Sequence, residues 1–276
     1  MVAAMALFAI EDAMVKAATT SMPVGQTMLI FGLGGAALFA ATALWFKEPL
    51  YTRDVISRPM RLRVCFEIVG RLFYVLALAL TPLASATVIL QATPLVVVAG
   101  AALLFGERVG WRRWLAIGIG LVGVLVILQP GAESFSGLSV LAVLGMLGFA
   151  GRDLASRAAP AALGTSILGL YGFLSLAFAG GAFALWQGHP FVAPDPISGF
   201  YLSGAILAGV AAYSCLMKAM RSGEVSAVTP FRYTRLLFGI GIGLVFFGET
   251  LTPPMIFGSG LIVLSGLFIM WRGKQA

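Results

Sequence analysis

The segment Phe8-Ala9-Ile10-Glu11-Asp12-Ala13-Met14-Val15-Lys16-Ala17-Ala18 returns about 141 residues later as Phe149-Ala150-Gly151-Arg152-Asp153-Leu154-Ala155-Ser156-Arg157-Ala158-Ala159. Phe105-Gly106-Glu107 returns as Phe247-Gly248-Glu249, and Gly118 aligns with Gly260, at nearly the same offset. A chain that repeats itself at half its length folds as two copies of one unit. The copies are also apolar: 60% of residues are hydrophobic and 11% charged, whereas charged residues make up about a quarter of a soluble domain. Runs of roughly 20 apolar residues, enough to cross a bilayer, recur along the whole length. The expectation is an all-α integral membrane protein built as a duplicated bundle, with a site between its halves.

Ten spans are expected at about 1–19, 25–46, 62–80, 84–105, 111–129, 136–156, 164–186, 197–217, 225–247 and 253–271. The turn formers fall between them, at Ser21-Met22-Pro23, Gln129-Pro130-Gly131, Gly188-His189-Pro190 and Leu251-Thr252-Pro253-Pro254. Lys47, Arg53, Arg58, Arg61, Arg63, Arg108, Arg112, Arg113, Arg157, Lys218, Arg221, Arg272 and Lys274 all fall on one side if the spans alternate. The opposite side holds Lys16, Glu133, His189, Asp195 and Glu249. Basic loops mark the cytoplasm, so both termini are expected there. Residues 1–130 and 131–276 then form two five-span repeats. Because five is odd, the second enters the membrane inverted, with Glu107 and Glu249 on opposite faces. Met1 aligns with Ala142, inside the sixth span, so the first span reads as lacking its first turn.

Two cysteines, Cys65 and Cys215, lie within spans and suit small buried apolar roles. Neither a metal nor a cofactor is expected. The net charge of +7 sits in short segments between apolar runs and forms no stripe for nucleic acid. The partners expected are the lipid bilayer and a small molecule.

The segment Ala77-Leu78-Ala79-Leu80-Thr81-Pro82-Leu83-Ala84-Ser85-Ala86, followed by Pro94, Gly106-Glu107-Arg108, Gly118 and Gly123, resembles the EamA-type drug/metabolite transporter superfamily. The second copy carries Val225-Ser226-Ala227-Val228-Thr229-Pro230-Phe231-Arg232-Tyr233 and Gly248-Glu249, so the resemblance covers essentially the full chain. It implies a multi-pass protein of the bacterial inner membrane that exports small metabolites by alternating access. Amino acids, including aromatic ones, are the expected cargo; drugs or nucleotide-sugars are the alternative. Pro94 aligns near Arg235, so the two halves are not equivalent.

Charged groups inside spans must face the bundle, pair or snorkel, since about 2.5–3.5 kcal/mol opposes their insertion. Glu67, Arg71 and Tyr74 lie at i, i+4 and i+7 on one helix face; they either line a cavity or satisfy one another. Arg232, Tyr233 and Arg235 follow Pro230, which frees a backbone carbonyl. Arg235 has no acid near it on its own helix, whereas Arg232 could snorkel to the cytoplasm. Asp12–Lys16 and Asp153–Arg157 read as i, i+4 structural or gating pairs, and Glu11 and Arg152 as a charge pair between the halves. Gln91 is an isolated amide three residues before Pro94, the other expected helix break. The cavity lining is expected to be Tyr74, Gln91, Tyr213, Tyr233 and Arg235.

Other classes find little support. The sequence Gly118-Ile119-Gly120-Leu121-Val122-Gly123 lies inside an apolar span with no strand before it, which suits helix packing rather than a dinucleotide. Gly239 and Gly243 make a similar packing face. The lone histidine, His189, is in a loop, so neither a buried nucleophile with its base nor a metal cluster is available to a membrane-embedded enzyme. A channel would place its pore on an oligomer axis instead of duplicating within one chain.

Overall fold

The structure is a computed structural model and describes residues 1–105, 111–128, 137–160, 162–221, 231–232 and 234–273. Among them there is no strand. The helices are α1 (Val2–Ala18), α2 (Val24–Trp45), α3 (Arg58–Leu80), α4 (Leu83–Leu90), α5 (Thr93–Phe105), α6 (Trp111–Leu128), α7 (Ser139–Arg157), α8 (Thr165–Gln187), α9 (Pro196–Arg221), α10 (Thr234–Phe247) and α11 (Pro253–Gly273), with a short 3-10 turn at Arg53–Ile56. Val24–Trp45, Ser85–Leu104, Ser139–Arg157, Thr165–Gln187 and Pro196–Ala219 are long and apolar enough to cross a bilayer. Thr234–Phe247 and Pro253–Ser265 are shorter apolar helices.

The expected fourth span is two helices, not one. Pro94 has no N–H to give the carbonyl four residues back, that of Leu90. The Thr93 hydroxyl donates to that carbonyl instead, at 2.6 Å. Gln91 and Ala92 form the turn between the pieces, their N–H groups donating to Val88 and Ile89. In the ninth span, the described helix begins at Thr234, after a single turn at residues 231–232.

α2 packs along α8, α3 along α7, α1 along α9, and α6 along α11. Glycines set how closely they approach. A Cβ on Gly25 would stand 2.6 Å from the Ala184 nitrogen, and one on Gly32 2.7 Å from the Ala177 Cα. One on Gly145 would meet the Tyr74 backbone at 3.0 Å, and one on Gly70 the Phe149 nitrogen at the same distance. Since real Cβ atoms do not come so near, these interfaces are backbone against backbone. Within the glycine-rich run of α6, Gly123 serves the same purpose: a Cβ on it would lie 2.8 Å from the Gly258 carbonyl on α11. A Cβ on Gly239 would press on the Thr87 side chain of α4.

Candidate functional site

The α3 stripe is longer than its inner part suggests. Arg63, Glu67, Arg71 and Tyr74 all point into the bundle and are all buried. Arg63 is therefore no loop charge. It is 1% exposed, and donates from Nη2 to the Tyr213 hydroxyl at 2.5 Å and the Leu168 carbonyl at 3.2 Å, and from Nε to Ser156 Oγ at 3.0 Å. Its position eight residues before Arg71, on the same helix face, was the available signal.

The tight α3–α7 contact brings the charges of the two halves together. Glu67 receives Arg71 Nε at 3.3 Å and Arg152 Nη1 at 3.4 Å, and faces Arg63 Nη2 at 3.7 Å. Arg71 also reaches Glu11 at 2.7 Å. Arg152 is held by Asp153 at 2.9 Å, and the other Asp153 oxygen takes Arg232 at 2.8 Å. Asp12 Oδ2 accepts from Arg235 at 2.5 Å and from the Tyr74 hydroxyl at 3.0 Å.

In place of the i, i+4 pairs expected along α1 and α7, Asp12 and Asp153 take other partners, mostly from other helices. Asp12 has taken Arg235, and Asp153 has taken Arg152 and Arg232. Arg157 is exposed at the end of α7. Lys16 instead donates to the Leu78 and Thr81 carbonyls at 3.1 and 2.6 Å and lies 3.9 Å from Glu249. Glu249 in turn accepts from the Leu83 N–H at 2.6 Å, which joins the α3–α4 and α10–α11 connections. Glu11 and Arg152 sit at two ends of one chain of charges, with Arg71 and Glu67 between them. A buried ion needs the nearest well-directed partner, and helix packing supplies it from a neighbour.

A narrow cleft, partly open to solvent, lies beside this network. Arg71, Arg152, Arg232 and Arg235 line it with Gln91 and Pro94 of the helix break. Phe8 and Phe149 supply aromatic surface: the Arg152 guanidinium is 4.8 Å from the Phe149 centroid, and that of Arg235 is 5.0 Å from Phe8. No carboxylate is among the described lining residues. Glu11, Asp12, Glu67 and Asp153 stand behind the arginines and aim them.

Of the lining expected from sequence, Gln91 and Arg235 are at the cleft. Tyr74 and Tyr213 stand behind it, fully buried, as partners of Asp12 and Arg63. Tyr233 and Pro230 lie outside the described residues. Of the other lining arginines, Arg71 was expected either to line a cavity or to pair with Glu67, Arg152 to pair with Glu11, and Arg232 to form an ion pair or snorkel. Among the described residues no group of His, Cys, Asp and Glu could hold a metal ion.

Comparison with known proteins gives this geometry a context. The EamA-like transporter family matches residues 1–129 and again 137–271. The riboflavin transporter of Rhizobium johnstonii is 29% identical over 75% of this chain and 68% of its own length. The S-adenosylmethionine uptake transporter of Rickettsia bellii is 24% identical over 75% and 70%. The pseudopaline exporter of Pseudomonas aeruginosa is 28% identical over 94% and 90%. A crystal structure superposes with a TM-score of 0.70 at 20% identity, covering 99% of this chain and 97% of the other, which speaks to the fold alone.

Proposed function

The chain belongs to the EamA-like transporter family, and on that footing we propose that it is a ten-span secondary transporter of the bacterial inner membrane whose two repeats, residues 1–130 and 131–276, are inverted relative to each other. It is a multi-pass membrane protein of a small-molecule transporter family, not an enzyme. The packing supports the repeat reading. If α1 corresponds to α7, α2 to α8, α3 to α9 and α6 to α11, then α1 on α9 exchanges with α7 on α3, while α2–α8 and α6–α11 map onto themselves. That is how a two-fold relation between halves looks in contacts. Such halves can rock about a shared site, with both termini in the cytoplasm.

The reading rests chiefly on one observation. Arginines of both halves, Arg71 from the first and Arg152, Arg232 and Arg235 from the second, converge on one cleft at the α4–α5 break. Guanidinium groups bind carboxylates through paired N–H donors, so the cargo carries a carboxylate or a similar oxyanion. Amino acids and their derivatives, aromatic ones included, moved outward, are the first class to test. Drugs and nucleotide-sugars are the second.

Flux of labelled amino acids and their derivatives in proteoliposomes, wild type beside Arg235→Ala, tests this. Substrate-selective flux that collapses in the variant supports the cleft as the transport site. Flux unchanged in Arg235→Ala removes Arg235 from it.

A further inference from the structure

We infer that the cleft selects cargo of net negative charge over zwitterions and cations, an inference that rests on the transport reading and narrows its substrate class. The buried network beside the cleft holds five guanidinium groups, Arg63, Arg71, Arg152, Arg232 and Arg235, against four carboxylates, Glu11, Asp12, Glu67 and Asp153, with Asp12–Arg235 a separate pair next to the linked others. Lys16 and Glu249 face each other outside it and cancel. The described network therefore carries one uncompensated positive charge, and all but a small part of each side chain in it is removed from solvent: Arg232, at 14%, and Arg235, at 13%, are the most exposed. A net charge in so apolar a setting is costly until an opposite charge arrives. A bound anion supplies that charge.

Placement of the charges strengthens the point. The four lining arginines present donors, and the carboxylates that balance them are on the far side. An ammonium group on the cargo needs an acceptor, preferably an anionic one. Among the described lining residues the side-chain acceptors are neutral: the Gln91 amide oxygen, whose Nε2 donates to the Thr87 carbonyl at 3.3 Å, and the Thr93 hydroxyl, whose proton is already given to Leu90. Four cations facing one ammonium add repulsion to that deficit. An α-amino acid would thus gain at its carboxylate and lose at its ammonium. An anion whose nitrogen is acylated, or which carries a second acid group, keeps the gain and avoids the loss.

The test uses molecules that share a skeleton and differ in charge. N-acetylphenylalanine, phenylalanine and phenylalaninamide carry net charges of about −1, 0 and +1 near neutral pH; the leucine series matches these, and the glutamate series is about one unit more negative throughout. Binding to the purified full-length protein in detergent is read as ligand-dependent thermal stabilisation, and flux in proteoliposomes is measured beside it. The N-acetyl compounds should bind at least about tenfold more tightly than the parent amino acids, with the amides weakest. Equal or tighter binding of the amino acid or amide overturns the inference, and so does failure of every anion in the panel to bind. Anion binding without flux overturns the transport reading and leaves the charge preference standing.

A second variant guards against misfolding. Asp12→Asn with Arg235→Gln removes one buried pair together, so neither partner is left alone. It leaves the network's excess charge as it was but takes one cation from the cleft wall. The variant should fold and show a smaller anion preference. Undiminished preference would overturn the role given to the lining cations.

Discussion

Arg235 and Asp12 are 223 positions apart in the chain, yet Arg235 donates to one Asp12 oxygen from both Nε, at 3.1 Å, and Nη2, at 2.5 Å. The pair ties α10 to α1, and the Tyr74 hydroxyl brings α3 to the same oxygen. Removing one partner strands the other in the bundle, at a cost of about 3–5 kcal/mol. Arg235→Gln and Asp12→Asn should each lower the melting temperature in detergent. The double variant should lose clearly less than the sum. Strictly additive losses would show that the two residues are not coupled.

Arg63 is tied to α9 by the Tyr213 hydroxyl, and the Tyr213 ring packs edge-on against Phe39 with centroids 5.6 Å apart. Tyr213→Phe keeps the ring and removes a hydrogen bond to a charged group, so stability should fall by about 1.5–3 kcal/mol. Tyr171→Phe removes a neutral bond to the Leu50 carbonyl at 3.2 Å and should cost about 0.5–1.5 kcal/mol. Thermal unfolding of the two variants side by side decides the order. A harmless Tyr213→Phe would mean that Arg63 finds another acceptor.

Pro94→Ala restores an N–H that can reach the Leu90 carbonyl now served by Thr93. The α4 and α5 pieces should then merge, and the Gln91 turn at the cleft should be lost. The expected result is a protein at least as stable as wild type with reduced flux. Full flux in this variant would show that transport does not need the break.

At the α2–α8 interface a Cβ on Gly180 would lie 2.6 Å from the Met28 Cβ, and one on Gly32 2.8 Å from the Ala177 Cβ. Gly180→Val and Gly32→Val should each destabilise by about 1–3 kcal/mol through overpacking. A Cβ on Gly118 meets nothing within 4 Å, so Gly118→Ala should be neutral or should stabilise by about 0.5–1 kcal/mol. Melting curves that fail to separate the two classes would argue against the backbone contact.

Asp195 precedes Pro196 at the start of α9 and accepts from the Ser198 N–H at 3.3 Å and from its hydroxyl. These bonds favour the ionised carboxylate and hold its pKa below the ordinary 3.8. A depressed folded-state value means that the cap contributes above the unfolded value and is lost as pH falls through the lower one. The stability difference between wild type and Asp195→Ala should therefore be present at neutral pH and shrink below pH 3.8. A difference that stays constant down to strong acid would rule out the ionised cap.

Much of the bundle is legible along the chain because a bilayer-length apolar run can satisfy its backbone only as a helix. α1, α2, α7 and α8 start and end within a few residues of their expected positions. The break near Gln91 was signalled by Pro94, although its form as two helices depends on the Thr93 hydroxyl. Helical periodicity correctly put Glu67, Arg71 and Tyr74 on one inward face. The count of basic loops erred on Arg63, which stands near the start of α3 and was read as a loop charge although periodicity put it on the same face. Periodicity misjudged the partners of Asp12 and Asp153, since spacing along a helix offers only neighbours on that helix.

From sequence alone came the helical membrane class, the internal sequence repeat and most of the charges that turn inward, because each follows from transfer free energy and repetition along one dimension. Tertiary structure decided which charge meets which. Glycines such as Gly70 and Gly145 let α3 and α7 touch, and that contact puts Glu67 within 3.4 Å of Arg152. In a low-dielectric interior every ion takes its closest well-oriented partner, and closeness is a property of packed helices. The same packing turned the carboxylates away and left arginines on the cleft wall.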